Sequence, residues 1–100
     1  MKLRILDLAE GDLLSGYQFY ELQAPGIGAY FMDTLLSDIE SLRLYAGSHR
    51  QVFGFLRLLS KRFPYAVYYT VAAQEVRVWR VLDCRRNPRW TRTQLRKRPS

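Results

Sequence analysis

The stretch that decides the fold is YAVYYTV at residues 65–71, which is followed by VRVWRVL at residues 76–82. Both stretches consist largely of β-branched and aromatic residues, which pack well on a pleated sheet. The four residues between them are too few for the crossover that parallel strands need. The two stretches therefore predict neighbouring antiparallel strands joined by a turn.

The sequence at the N-terminus predicts one strand and one helix. Residues 3–8, LRILDL, are rich in branched residues and predict a first strand, and residues 9–11 predict a turn. Asp12 is a suitable N-cap because its carboxylate can accept hydrogen bonds from free backbone N–H groups. Gly16 costs about 1 kcal/mol inside the helix that would follow. The apolar positions of this helix have helical spacing and comprise Leu13, Tyr17, Tyr20 and Ala24.

A second helix is predicted after PGIG at residues 25–28, because proline cannot continue the first helix and glycine favours a turn. Its apolar stripe comprises Phe31, Leu35, Ile39 and Leu42. Gly47 is expected to end this helix in a left-handed conformation. Since the break is short, the two helices should form an antiparallel hairpin.

The remaining segments complete the predicted order β-α-α-β-β-β. Residues 55–60 predict a strand, and the arginine-rich end with Pro88 and Pro99 predicts irregular chain with at most one short helix. This order is typical of an α+β fold in which a small twisted antiparallel sheet carries the helical hairpin on one face. Two residues of the second helix, Leu35 and Ile39, should face the sheet. The strand residues nearest to them should be Val67, Tyr69 and Val78.

Length and composition predict one globular domain over residues 1–100, with residues 88–100 as a basic C-terminal tail. One cysteine excludes an internal disulfide framework, and with one histidine it argues against a zinc site, which needs three or four such ligands. No metal or other cofactor is expected. The longest uncharged apolar stretch, residues 63–73, is far shorter than the ~20 residues that a bilayer needs. We therefore expect a cytoplasmic protein without membrane association.

The net charge of +7 is distributed unevenly. Residues 1–50 contain four basic and seven acidic residues, a net of −3, whereas residues 51–100 contain twelve basic and two acidic residues, a net of +10. After Asp83 there are seven arginines or lysines and no carboxylate. This asymmetry predicts an electropositive surface that binds nucleic acid or an acidic protein.

An ordered set of short motifs over residues 3–90 resembles the RelE/ParE superfamily of bacterial toxins from type II toxin–antitoxin pairs. The matching pieces are Asp12-Leu13, Tyr20-Glu21, PGIG at 25–28, Phe31, Leu35, RFPYAVYY at 62–69 and VLDCRRNP at 81–88. The resemblance implies the fold described above and a growth-inhibiting toxin with a cognate acidic antitoxin as its partner. It implies one of two mechanisms, since RelE-like members cut mRNA on the ribosome and ParE-like members block DNA gyrase without being nucleases.

The basic residues of the chain fit either mechanism. Arg62, Arg85 and Arg86 occur where nucleases of the superfamily carry catalytic basic residues, and Lys61 lies beside them, so these four would be catalytic if the chain cuts mRNA. The wider set of candidates for binding phosphate or a partner is Arg62, Arg85, Arg86, Arg89, Trp90 and His49. A third possibility, a small basic nucleic-acid-binding module, is supported by charge alone.

Proton transfer is where the sequence departs from the nuclease pattern. Cleavage of RNA needs a group that takes the 2′-OH proton, but Asn87 occupies the stretch where some nucleases of the superfamily have a histidine. His49 could act as a general base or contact a phosphate. The favoured interpretation is that it is a solvated loop residue. Asp83 is expected to pair with a neighbouring arginine, and Cys84 is expected to be buried and inert. This departure favours the ParE-like mechanism.

Aromatic residues of the same region have a structural and a functional interpretation. The strand tyrosines Tyr65, Tyr68 and Tyr69 could donate protons, but packing is the favoured role. Trp90 could stack on a base or pack over the sheet edge. Since Arg62 precedes one strand and Arg85 follows its antiparallel partner, the strand-end arginines, Arg86 included, should converge at one end of the sheet.

Overall fold

The computed structural model describes residues 1–97, and this part of the chain contains five strands and four helices. The strands are Lys2–Ile5 (β1), Arg50–Val52 (β2), Phe55–Leu59 (β3), Tyr65–Ala72 (β4) and Glu75–Asp83 (β5). The helices are Asp7–Gln23 (α1), Ile27–Glu40 (α2), Leu42–Tyr45 (α3) and Pro88–Arg96 (α4). No described helix is long and apolar enough to cross a membrane.

One five-stranded sheet has the strand order β1-β5-β4-β3-β2. The β2, β3, β4 and β5 strands pair antiparallel, as the sequence predicted for the strands it identified. β1 pairs parallel with β5, with Leu3 opposite Val76, so the sheet is mixed rather than purely antiparallel. The α+β fold is confirmed, with two corrections: the direction of β1 and the additional strand β2.

β2 is only three residues long, and the sequence analysis made no prediction for these residues. It pairs with β3 across a two-residue turn at Phe53 and Gly54, which both have positive φ angles of 53° and 85°. Turns of this type match the right-handed twist of a hairpin, and glycine adopts them readily. Gly54 was therefore the signal of a hairpin in this part of the sequence.

α1 begins at Asp7, so the predicted turn at residues 9–11 and the predicted N-cap at Asp12 are both wrong. The first strand ends at Ile5 rather than at residue 8. Ala9 lies fully buried in the core, and burial of this helical position favours an earlier start. The carboxylate of Asp12 does not cap the helix but pairs with Arg80, as described below.

The helical hairpin packs closely because of two glycines. A Cβ atom on Gly16 would lie 2.4 Å from Cζ of Phe31, and one on Gly28 would lie 2.7 Å from the carbonyl oxygen of Tyr17. The cost of Gly16 in the helix is thus offset by close contact with the aromatic ring of α2. The carboxylate of Glu21 accepts hydrogen bonds from the backbone N–H of Gly26 and of Gly28, which fixes the break between the helices.

The main core lies between this hairpin and the sheet. The predicted apolar stripe is confirmed, because Phe31, Leu35, Ile39 and Leu42 are all at most 1% exposed. They belong to one cluster with Val67, Tyr69 and Val78. Leu42 lies in α3, since the helix is interrupted at Ser41. Gly47 has the expected left-handed conformation, with a φ angle of 93°.

A second, smaller core covers the opposite face of the sheet. Leu95 of α4 packs with four residues of the strands: Phe55, Ala66, Tyr68 and Leu82. Residues Pro88–Arg96 are therefore not irregular but form the one short helix that the sequence allowed, and this helix packs on the sheet. The predicted basic tail continues into residues 98–100, which lie outside the described residues.

Candidate functional site at the arginine-rich end of the sheet

Pairing of β4 with β5 brings the arginine-bearing segments to one end of the sheet. Tyr65 lies opposite Asp83, and the backbone N–H of Cys84 donates to the carbonyl oxygen of Pro64 at 2.8 Å. Arg62, which precedes β4, therefore lies at the same end of the sheet as Arg85 and Arg86, which follow β5. The backbone arrangement is the expected one, but each of the three guanidinium groups has contacts of its own.

Arg62 faces the helical hairpin. Its Nη1 atom donates to the hydroxyl of Tyr30 on α2 at 3.1 Å. With Lys61 it lines a shallow cavity that also includes Asp33 and Asp38 of α2. Lys61 and Arg62 thus form a basic rim next to acidic residues of α2.

Arg85 is held by Asp83, as the sequence predicted for that carboxylate. Nε and Nη2 of Arg85 donate to the two carboxylate oxygens at 3.0 and 2.8 Å, and its backbone N–H donates at 2.8 Å. The hydrogen bond from the Arg85 side chain lowers the pKa of Asp83, and the same contact raises the pKa of Arg85. Asp83 is therefore a neutralising partner of Arg85, with little basicity for proton transfer.

Arg86 turns to the other side of the sheet. Its guanidinium lies 4.0 Å from the centre of the Trp90 ring, a cation–π contact. Trp90 is half-buried and packs against the second core. This contact corresponds to packing, one of the two roles that the sequence suggested for it. Arg89 is exposed, and its backbone N–H donates to Oδ1 of Asn87 at 2.7 Å. Asn87 is thus the N-cap of α4, a role that the sequence analysis did not identify.

His49 is not a solvated loop residue, so the favoured interpretation was wrong. It is half-buried, and its Nδ1 atom is hydrogen-bonded to the hydroxyl of Tyr69, which also accepts the N–H of Gly47 at 3.1 Å. Tyr69 is fully buried and lies four strand residues from Tyr65, roughly 13 Å along β4. His49 therefore supports the core, away from the arginines.

The strand tyrosines have the packing role that was favoured. All three are buried, with Tyr65 and Tyr69 in the main core and Tyr68 in the second. Burial, followed by the charge of Asp83, raises the pKa of Tyr65 to about 12. Burial also raises the pKa of Tyr68. Both phenols keep their protons at neutral pH.

A cavity that sequence reasoning missed lies between the sheet and the start of α4. It has a volume of about 250 Å³ and is lined in part by Phe53, Arg57, Tyr68, Cys84 and Arg86. Nε of Arg57 is buried and has no hydrogen-bond partner among the described residues. The signal was a cation within the otherwise apolar strand FLRLL at 55–59.

Cys84 is exposed, so the prediction that it is buried is wrong. It directly follows Asp83, the last residue of β5. Desolvation nevertheless raises the pKa of its thiol, which favours the unreactive protonated form.

Asp12 and Arg80 join three elements beside this site. Nε and Nη2 of Arg80 donate to the two carboxylate oxygens of Asp12 at 2.7 and 2.8 Å, and Nη1 donates to the carbonyl of Gln94 in α4 at 2.9 Å. The backbone N–H of Val81 donates to the same carboxylate at 2.9 Å. β1 pairs with β5 only as far as Val78, so it does not extend beside Val81. There the carboxylate of Asp12 accepts the backbone N–H of Val81 in place of a neighbouring strand.

The chemistry available at this end of the sheet is therefore asymmetric. Arginines that can bind phosphate or carboxylate are present at several positions. The groups beside them that titrate are Tyr65, Tyr68, Cys84 and Asp83, and their pKa shifts move each of them away from neutrality. Among the described residues, this end of the sheet offers anion binding without a general base suited to neutral pH.

The comparison with solved structures identifies a similar fold. Neither a protein-family model nor a curated protein matches the sequence. A chain of the chromosomal ParDE TA system from P. aeruginosa matches with a TM-score of 0.73 and 21% sequence identity, over 81% of this chain and 92% of that chain. At this identity the likeness concerns the fold. The chain therefore has the α+β fold that is found in a ParDE toxin–antitoxin system.

Proposed function

We propose that the chain is the toxin of a type II toxin–antitoxin pair and that it acts as a ParE-like inhibitor of a nucleic-acid enzyme such as DNA gyrase. The observation that carries this proposal is the likeness to the ParDE chain over most of both chains. Inhibition then depends on binding by surface residues and requires no bond to be broken by this chain.

The absence of a suitable base supports inhibition over RNA cleavage. A RelE-like mechanism would use Lys61, Arg62, Arg85 and Arg86 to stabilise the phosphorane charge. Arg85 is already neutralised by Asp83. Tyr68 could donate a proton to a leaving oxygen, but its raised pKa makes it a poor acceptor of the 2′-OH proton. mRNA cleavage is therefore the second candidate.

The partner that fits the basic half of the chain is an acidic antitoxin. Between residues 41 and 97 the only carboxylates are Glu75 and Asp83, and each is ion-paired with an arginine. Among the described residues, the salt bridges do not involve Arg86, Arg89, Arg92 or Arg96. An acidic amphipathic segment that folds on binding would neutralise them, within the cytoplasm that the toxin class implies.

Two assays on the purified chain test the proposal. We expect the chain to inhibit supercoiling by DNA gyrase and to leave mRNA intact in a translation extract. An R62A/R86A variant should lose inhibition, whereas R43A, at an exposed position on α3, should keep it. Cleaved mRNA together with unaffected gyrase would replace the first proposal by the RelE-like mechanism. No effect in either assay would remove both toxin mechanisms.

A further inference from the structure

The exposed side of α4 is a row of arginines. Arg89, Arg92 and Arg96 are exposed, while Thr91 and Leu95 of the same helix are buried against the sheet. The three arginines follow each other at spacings of three and four residues, so they lie along one side of the helix. With a rise of 1.5 Å per residue, they span about 10 Å.

No carboxylate of this side of the protein opposes that row. The salt bridges among residues 1–97 do not involve Arg86, Arg89, Arg92 or Arg96. Seven of the nine carboxylates of the chain lie between residues 7 and 40, a stretch that contains no lysine or arginine. The helical hairpin on the other face of the sheet thus carries the negative charge, and the α4 face carries the positive charge.

Two guanidinium groups on the α4 face are held by aromatic rings. Arg86 lies over Trp90 at 4.0 Å, and Arg92 lies over Phe53 at 5.0 Å from the ring centre. These contacts restrain the arginines, so less side-chain entropy is lost when an anion binds. They also occupy aromatic faces on which the bases of a single strand would otherwise stack.

We propose that α4, together with Arg86, binds the phosphate backbone of duplex DNA without reading its sequence. Three arginines in a row of about 10 Å can contact neighbouring phosphates of the duplex, since each strand carries about one phosphate per 3.4 Å of helix axis. Arginine is suited to this contact because its planar fork donates two hydrogen bonds to one phosphate. The acidic hairpin is repelled by DNA, so the bound protein presents α4 to the duplex and the hairpin to solvent.

This DNA binding does not depend on inhibition of an enzyme, although Arg86 belongs to both proposed sites. It brings the chain to the DNA on which a target enzyme such as gyrase acts. It also implies competition, since an acidic antitoxin that covers the same arginines would release the DNA.

Fluorescence anisotropy with a labelled 20-base-pair duplex between 50 and 200 mM NaCl tests the proposal. The R89Q/R92Q/R96Q variant removes three charges from α4, and the R4Q/R43Q/R77Q variant removes three exposed charges elsewhere. Both variants have the same net charge. We expect the α4 variant to bind at least 10-fold more weakly at 50 mM NaCl, with a salt slope reduced by about 2.7 because each phosphate contact contributes about 0.9. The control variant should change affinity less than 3-fold.

Three further comparisons make the proposal falsifiable. R89K/R92K/R96K keeps the three charges and should keep the salt slope. If the glutamine variant does not fold, the lysine variant still tests whether the charges of α4 bind the duplex. A 20-nucleotide single-stranded RNA and a 20-residue polyglutamate should bind more weakly than the duplex. The proposal is overturned if the unmodified chain does not bind the duplex at 50 mM NaCl, or if both glutamine variants lose affinity equally. It is also overturned if the RNA or polyglutamate binds as tightly as the duplex.

Discussion

Asp12 and Arg80, 68 residues apart in sequence, form a buried ion pair with two hydrogen bonds that joins α1 to β5, and Arg80 extends this connection to α4. Only 7% of Arg80 is exposed, so its charge is largely withdrawn from water. A buried charge of this kind is tolerated because the partner carboxylate and the Gln94 carbonyl satisfy it. The pair therefore positions the helices on both faces of the sheet relative to one another.

Removing one partner of this pair should be strongly destabilising. Asp12→Ala leaves the Arg80 guanidinium without its counter-charge and the Val81 N–H without an acceptor, so we expect a loss of about 3–5 kcal/mol in the free energy of unfolding. Urea denaturation measures it. As a control, Arg43→Ala breaks an exposed pair with Glu40 and should cost less than about 1 kcal/mol. Equal losses in the two variants would contradict the structural role of the buried pair.

The core position of Leu35 gives a second prediction. Its side chain is fully buried between α2 and the sheet, so Leu35→Ala should cost about 2–5 kcal/mol. For a domain of this size the melting temperature should fall by more than about 10 °C, at roughly 4–8 °C per kcal/mol. Leu44→Ala is the matched control, because Leu44 is 82% exposed. A shift of only one or two degrees for Leu35→Ala would mean that the apolar face of α2 is placed incorrectly.

Two glycines of α1 should respond in opposite directions to the same substitution. Gly16→Ala would place a methyl group against the Phe31 ring, and overpacking of this kind costs about 1–3 kcal/mol. At Gly11 there is no atom within 4 Å of the new Cβ, so Gly11→Ala should stabilise the helix by about 0.4–1 kcal/mol. Thermal melting of the two variants separates helix propensity from packing. Stabilisation by both substitutions would show that the hairpin can open to admit the methyl group.

How far the sequence predicts this fold depends on the range of each interaction. The strands β4 and β5 and the apolar stripe of α2 are specified by local periodicity, so they were predicted correctly. The parallel pairing of β1 with β5 and the contact of Asp12 with Arg80 join residues about 70 positions apart, and no local pattern encodes them. The N-cap assigned to Asp12 failed because a capping residue and a residue of a distant ion pair have the same local appearance.

The candidate site was predicted less completely for a related reason. The sequence placed Arg62, Arg85 and Arg86 at one end of the sheet, because strand order alone determines that position. It predicted that Asp83 pairs with a neighbouring arginine but not which one, and it could not show that His49 bonds to Tyr69, since both contacts depend on side-chain orientation. Arg57 was missed because a cation in a short apolar strand looks like a solvent-facing residue. Its burial becomes apparent only when α4 is known to cover that face of the sheet.

The pair of Asp83 with Arg85 predicts a dependence of stability on pH. Arg85 lowers the pKa of Asp83 in the folded protein, so the unfolded chain binds this proton more readily. Stability from the pair is therefore fully present above the unfolded pKa, near 4, and is lost as the pH falls through the folded value. Arg85→Gln should remove this contribution, so its destabilisation should be measurable at pH 7 and should shrink by pH 2–3. Urea denaturation at several pH values checks this, and a constant difference across that range would contradict the pairing.

The last prediction separates the strand-end arginines from the general positive charge of the chain. Growth arrest after induction in a bacterial host is the measurement, with folding verified by circular dichroism. Deleting the chain after Asn87 is not a clean test, because it removes α4 and exposes the second core around Tyr68 and Leu82. The R89Q/R92Q/R96Q variant is a better comparison, since its substitutions lie on the exposed side of that helix.

We expect R62A/R86A to relieve growth arrest strongly and the α4 variant to weaken it less. The reason is that Arg62 and Arg86 lie on opposite sides of the same sheet end, where a partner that spans this end would contact both, whereas α4 supplies general attraction to polyanions. R4A/R43A, at two exposed positions elsewhere, should leave arrest unchanged. Full arrest by R62A/R86A would exclude the strand-end arginines from the mechanism. The acidic outer face of the helical hairpin, with exposed Leu14 and Leu22, would then be the surface to test against the target.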